Sequence, residues 1–124
     1  MTMKETLTVT LVVLAASCSR PDSVQVIRSH EPGLLASIET FNGEGATVGD
    51  ATTLYAGLER DGRVVSRERI LDGEYLKLTH VQWSRRDTLD VCIAGGDVSS
   101  YRSDIVLRDR DRVVRVHTAV RKDC

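Results

Sequence analysis

A small all-β domain, an antiparallel β-sandwich or curled β-meander of about seven to eight strands, is the fold class this sequence predicts. Three observations predict it. Beyond Ser23 apolar and polar residues alternate with a period of two. Turn dipeptides recur at short spacing, led by Asp61-Gly62 and Asp72-Gly73. With aromatic residues at 4%, the core has to be built from Val, Leu and Ile, whose β-branched members suit strands. No amphipathic helix period, repeat or low-complexity tract competes with this rhythm.

In chain order the expected strands are 24–28, 34–41, 51–60, 63–71, 75–83, 88–94, 104–108 and 113–121. Glycine tolerates the positive φ of two-residue hairpin turns, so Asp61-Gly62 and Asp72-Gly73 should join three successive strands into a meander. Leu54, Ala56 and Leu58 share one strand face, Leu89, Val91 and Ile93 another, and Val114, Val116 and Val120 a third. These are the core candidates, with the single tryptophan, Trp83, as an anchor.

The chain of 124 residues has room for one core. A composition 41% hydrophobic and 28% charged, with a net charge of −1, is that of a folded domain and carries no basic footprint for nucleic acid. The mild acidity of 21–59 and the mild positive excess from Arg60 onward are too slight to name a ligand.

The leading segment is a different kind of sequence. Leu7 to Ser17, LTVTLVVLAAS, is too short to cross a bilayer, which takes about 20 residues as a helix. Its order, Lys4, an apolar middle, then Ala15, Ala16 and Ser17, is that of an export signal. Small residues followed by Cys18 resemble the lipobox of bacterial lipoproteins, although Ala15 stands where the family more often has a large aliphatic. That resemblance implies cleavage before Cys18 and acylation of its thiol. It divides the chain into a signal peptide over 1–17, a lipidated tether over 18–23 and a single β domain over 24–124. The implied partner is a membrane, held through several acyl chains. Ser19, where an aspartate would favour the inner membrane, implies the outer membrane's periplasmic leaflet. An ordinary secretory signal cleaved nearby remains the alternative.

With Cys18 assigned to lipid, Cys92 and Cys124 are left as one pair, and in an oxidising compartment such a pair closes into a disulfide. Neither belongs to a C-x-x-C, and no nearby histidine stands at ligand spacing, so the structural role is preferred over a reactive or metal-binding thiol. Cys92 falls on the strand face opposite Leu89, Val91 and Ile93, which places the bridge outside the main core or under the tail.

Two passages, Ser29-His30-Glu31-Pro32-Gly33-Leu34-Leu35-Ala36 and His80-Val81-Gln82-Trp83-Ser84-Arg85-Arg86-Asp87-Thr88-Leu89-Asp90-Val91, resemble segments that open β-propeller blades. With Gly45-Ala46-Thr47 they also resemble small β-rich bacterial lipoproteins. One blade's worth of strands cannot close a propeller, so the resemblance implies a β-meander and carries no catalytic residue across.

The residues that could do chemistry are dispersed. The loop Asn42 to Asp50 is glycine-rich, but it lacks the lysine of a P-loop and the alternating oxygen ligands of a calcium loop, and it reads as a strand connection. His30, His80 and His117 lie on separate elements without metal-ligand spacing, although His80 and His117 could meet across a sheet. Asp97 to Arg102 reads as a polar connection and the sign-alternating Arg108 to Arg112 as a solvated hairpin turn. Arg85-Arg86 could touch acidic lipid head groups. No catalytic, cofactor or metal residue is nominated. The expectation is a membrane-anchored envelope lipoprotein with a non-enzymatic domain that binds another envelope protein. The alternatives are an immunity or inhibitor lipoprotein that neutralises a periplasmic toxin, and an envelope hydrolase in which His80, His117 and a carboxylate would share a pocket.

Overall fold

The computed structural model describes residues 20–42, 50–122 and 124. The expected export signal, Cys18 and most of the glycine-rich loop lie outside the described residues.

The chain is all-β. Seven strands, β1 (Ser23–Arg28), β2 (Leu34–Phe41), β3 (Ala51–Arg60), β4 (Arg63–Arg85), β5 (Thr88–Tyr101), β6 (Asp104–Asp109) and β7 (Arg112–Lys122), form one sheet in the order β1-β2-β3-β4-β5-β7-β6. Every pairing is antiparallel except β5 with β7, so the sheet is mixed and the expectation of a purely antiparallel one is corrected. The reason is the β6–β7 hairpin. Its second strand is laid beside β5 in the direction β5 already runs.

The larger correction concerns Asp72-Gly73. No turn forms there, and the fourth and fifth expected strands are a single 23-residue strand, β4. Extended at about 3.3 Å per residue, such a strand would span roughly 75 Å, far more than a domain of this size. It has to bend. β4 pairs with β3 from Arg63 to Glu74 and with β5 from Leu71 to Arg85, and its register against β5 slips repeatedly between Asp72 and His80. At that corner Tyr75 adopts a positive φ of 54°, and its N–H donates to the Asp50 carbonyl at 2.8 Å. Gly73 and Gly96 are needed for proximity. A Cβ on Gly73 would run into the Asp97 carbonyl, and one on Gly96 into the Tyr75 backbone. The run expected as a polar connection, Asp97 to Tyr101, is therefore strand, because β5 follows β4 around the corner.

Both ends of β4 return to one end of the domain. There the Ser29 hydroxyl donates to the Arg86 carbonyl, the Glu59 N–H donates to the Gly33 carbonyl at 2.7 Å, and Arg60 meets Asp109 at 3.0 Å. The same bending curls the sheet until its far edge meets its middle. The Arg102 N–H donates to the Ile70 carbonyl at 2.8 Å and the Arg108 N–H to the Ser66 hydroxyl at 3.2 Å, so β6 lies beside the first half of β4.

The core fills the inside of this curl. Leu54, Ala56 and Leu58 from β3, Leu89, Val91 and Ile93 from β5 and Val116 from β7 are buried together with Leu34, Ile70, Leu71 and Leu107, as the alternation anticipates. Val114 and Val120 pack against them at the margin. Each fully buried leucine contributes about 1.5–3 kcal/mol relative to exposure. Trp83 packs against the same cluster and its indole N–H donates to the Ile27 carbonyl at 2.9 Å, which ties the end of β4 to β1. The thiols of Cys92 and Cys124 come to bonding distance, with Cα atoms 6.1 Å apart. Cys92 is buried, but it does not belong to the core cluster that Leu89, Val91 and Ile93 join.

Candidate groove between strands β1 and β4

The outer face of β1 to β4 departs from an ordinary solvated sheet surface. Cross-strand pairing puts Val24 beside Glu39, Val26 beside Ser37 and Arg28 beside Leu35, with Tyr55 and Gly57 next along from Ser37 and Leu35. Alternation turns this set away from the core. Leu35 and Ser37 are nonetheless only 3% and 7% exposed. Gly57 explains it, because the space its missing side chain leaves is bordered by Val64 Cγ1 and Leu35 Cδ1, both within about 3.5 Å of where a Cβ would stand. Leu35 and Ser37 thus form the floor of a groove of about 490 Å³. Its walls are Val24 and Val26 on one side and Val64 and Val65 on the other, exposed by 54, 48, 49 and 40%.

The groove's charges are paired at its rim. Arg28 forms a two-pronged contact with Glu59, Nη1 to Oε1 at 2.8 Å and Nη2 to Oε2 at 3.3 Å, and this hydrogen bond holds the guanidinium still more firmly protonated. Further along, Arg67 bonds Glu39 and stacks over the Tyr55 ring, 3.8 Å from its centroid. Such exposed pairs contribute little to stability. Their local effect is to leave the groove near neutral. An apolar channel bordered by satisfied ion pairs suits aliphatic groups in an extended arrangement. It offers an anion or a cation no unpaired partner.

The titratable residues singled out from sequence are not gathered. His80 on β4 stands opposite Cys92, and His117 on β7 stands opposite Thr88. They flank β5 at positions four residues apart, about 13 Å along the strand, so the catalytic grouping of His80, His117 and a carboxylate is not assembled. His117 instead bonds Asp104, Nδ1 to Oδ1 at 2.9 Å, on an exposed surface of the β6–β7 hairpin. That bond, with the Ser103 hydroxyl, holds the Asp104 carboxyl below its ordinary value. Burial, and more weakly the Asp104 charge, raises the neighbouring Tyr101 phenol, which donates to the Thr118 carbonyl at 2.6 Å. His30 is exposed in the β1–β2 turn. Among the described residues no group of three or more His, Cys, Asp or Glu side chains could hold a metal ion.

The arginine-rich turns are placed largely as expected. Arg110-Asp111 is the tip of the β6–β7 hairpin, and Arg112 reaches back to Glu31 at 3.4 Å and to the Pro32 carbonyl. Arg86, at the β4–β5 tip, lies 3.8 Å from the same Glu31. The groove itself was missed by residue-by-residue reading. Its signal was present at Leu34-Leu35, where consecutive apolar residues cover both faces of a strand, and at Val64-Val65, two exposed valines at a break in the β3–β4 register.

No protein-family model matches the chain, and no curated protein or solved structure matches it either.

Proposed function

We propose that the chain is an exported, lipid-anchored envelope protein whose β domain binds an extended aliphatic segment of another envelope protein in the groove between β1 and β4. The observation that carries the binding reading is the groove itself, with four half-exposed valines over a buried leucine floor and its charges already paired. Surfaces of that kind mark interaction sites when the apolar residues are contiguous. The anchoring reading is supported by the order of LVVLAASC, ending at Cys18. The close approach of Cys92 and Cys124 suits an oxidising compartment.

Two measurements test the two halves. Palmitate labelling of the native chain, with Cys18→Ser followed by fractionation, should find the label and the membrane association lost together. A variant that stays in the envelope pellet at its former mass would overturn the anchor. For the groove, a photo-crosslinking side chain at Val65 should yield a discrete adduct in intact cells. The same group at Asp90, in the second half of the sheet, should not. Equal adducts from both positions, or none from Val65, would overturn the groove as the binding site.

A further inference from the structure

The sheet has two terminal strands, and they are treated differently. β6 is tied to β4 through the Arg108 N–H, and the link that leads into it through the Arg102 N–H. Among the described residues β1 has only β2 as a sheet partner, and Trp83 bonds it near its end, at Ile27. Its burial is low along Ser23 to Val26. Edge strands normally carry a lysine, a proline or a bulge that discourages pairing. SVQVIR carries none within the strand, and its register against β2 is unbroken. The Ser29 N–H bond to the Leu34 carbonyl sets the alternation along β1, which turns the backbone groups of Val24, Val26 and Arg28 toward the open side.

We propose that two copies of this chain pair through β1, antiparallel and in register about Gln25. The stretch from Asp22 to Arg28 is self-complementary about that residue. With Gln25 opposite Gln25 of the second copy, Val24 faces Val26 twice over, and Asp22, just outside β1 with its N–H donated to the Thr40 carbonyl, comes near Arg28 at each end. Any register shifted by two residues places Val24 or Val26 against Asp22 or Arg28. Asp22 already accepts from the Asn42 N–H, and Arg28 from its side donates to Glu59, yet a carboxylate and a guanidinium each keep capacity for another partner. The pairing is isologous, and it uses up the edge that β1 presents among the described residues, so it closes at two copies. It also places the two valine walls side by side, so the grooves of the two copies meet along the shared β1 pair. The inference goes beyond the proposed envelope role and does not depend on it.

Light scattering of the purified full chain across a dilution series, together with cysteine scanning of β1, tests the proposal. The unsubstituted chain should show a two-chain mass at high concentration that falls toward one chain on dilution, and Val26→Lys should hold it at one chain. Gln25 would face its counterpart at a position without direct backbone hydrogen bonds, where Cα atoms approach to about 4.5 Å, close enough for a disulfide. Gln25→Cys should therefore form a reducible dimer beyond any background from the native cysteines. Ser23→Cys and Ile27→Cys should each crosslink poorly alone and well when mixed. A one-chain mass at every concentration overturns the proposal. So does a two-chain species in which Gln25→Cys fails to crosslink while Val64→Cys succeeds, since the contact would then run through the groove.

Discussion

Two Asp-Gly pairs eleven residues apart do opposite things in this molecule. At Asp61-Gly62 both residues take positive φ, 55° and 78°, and the chain reverses in a two-residue hairpin between β3 and β4. A Cβ on Gly62 would meet nothing within 4 Å. At Asp72-Gly73 neither residue has a positive φ and the strand runs on. There a Cβ would collide with the Asp97 carbonyl and with Leu76. The first glycine is required by its own dihedral angle, whereas the second is required by what a neighbouring strand brings against it. Identical dipeptides can therefore stand for a local turn or for a tertiary contact, and the contact is what lets β4 and β5 bend together.

The largest expected effect lies at the corner. Gly96→Ala combines a φ of 96° with a Cβ placed among Tyr75 and Leu76 backbone atoms, so strain and collision add. A loss of about 3 kcal/mol or more is expected from those two mechanisms together. Urea unfolding followed by circular dichroism measures it. Gly73→Ala, with the collision alone, should be nearly as costly. Gly62→Ala should lose only about 1 kcal/mol, since it adds dihedral strain in open space. Equal midpoints for Gly62→Ala and Gly73→Ala would mean that the two glycines are required for the same reason.

A substitution of opposite sign sharpens it. Tyr75 sits at a φ of 54° and is 63% exposed, so its ring gives up packing while its backbone occupies the left-handed region. Asparagine tolerates that region better, and relief of the conformation is worth about 1 kcal/mol. Tyr75→Asn should therefore raise the urea midpoint modestly. A lowered midpoint would mean that the tyrosine side chain holds the corner in some way that exposure does not reveal.

The legible part of the fold was the part written in local alternation. Leu54, Ala56 and Leu58, or Leu89, Val91 and Ile93, are apolar at every second position, and that alone predicts which face is buried. The hairpin at Arg110-Asp111 was legible from its alternating charges, although the residue with positive φ there is Arg110, with no glycine present. The β4 corner was illegible because its cause is remote: Gly73 answers to Asp97, twenty-four residues later. The parallel β5–β7 pair is likewise a consequence of where a hairpin docks. The groove lay between these cases. Leu35 and Val64 look ordinary within their own strands, and they become a floor and a wall only once Gly57 brings them together across β3.

The smallest expected effect contrasts the sterically held corner with the β6–β7 hairpin, where an exposed His117–Asp104 hydrogen bond stands between the strands. Asp104 is held below its ordinary value chiefly by the bond from His117, with the Ser103 hydroxyl second. A carboxyl depressed in the folded state adds stability above its unfolded value, near pH 3.9, and that stability is lost as pH falls through the lower folded value. Stability should therefore drop between about pH 4 and the acid end in a way that Asp104→Asn does not share. Both groups are solvent-exposed, so the difference is small, and salt should shrink it. Urea midpoints for the two proteins, compared from pH 5 downward, read it directly. Curves that stay parallel throughout that range would mean the His117–Asp104 bond leaves the hairpin's stability unchanged, and that geometry alone holds this end of the sheet as it holds the corner.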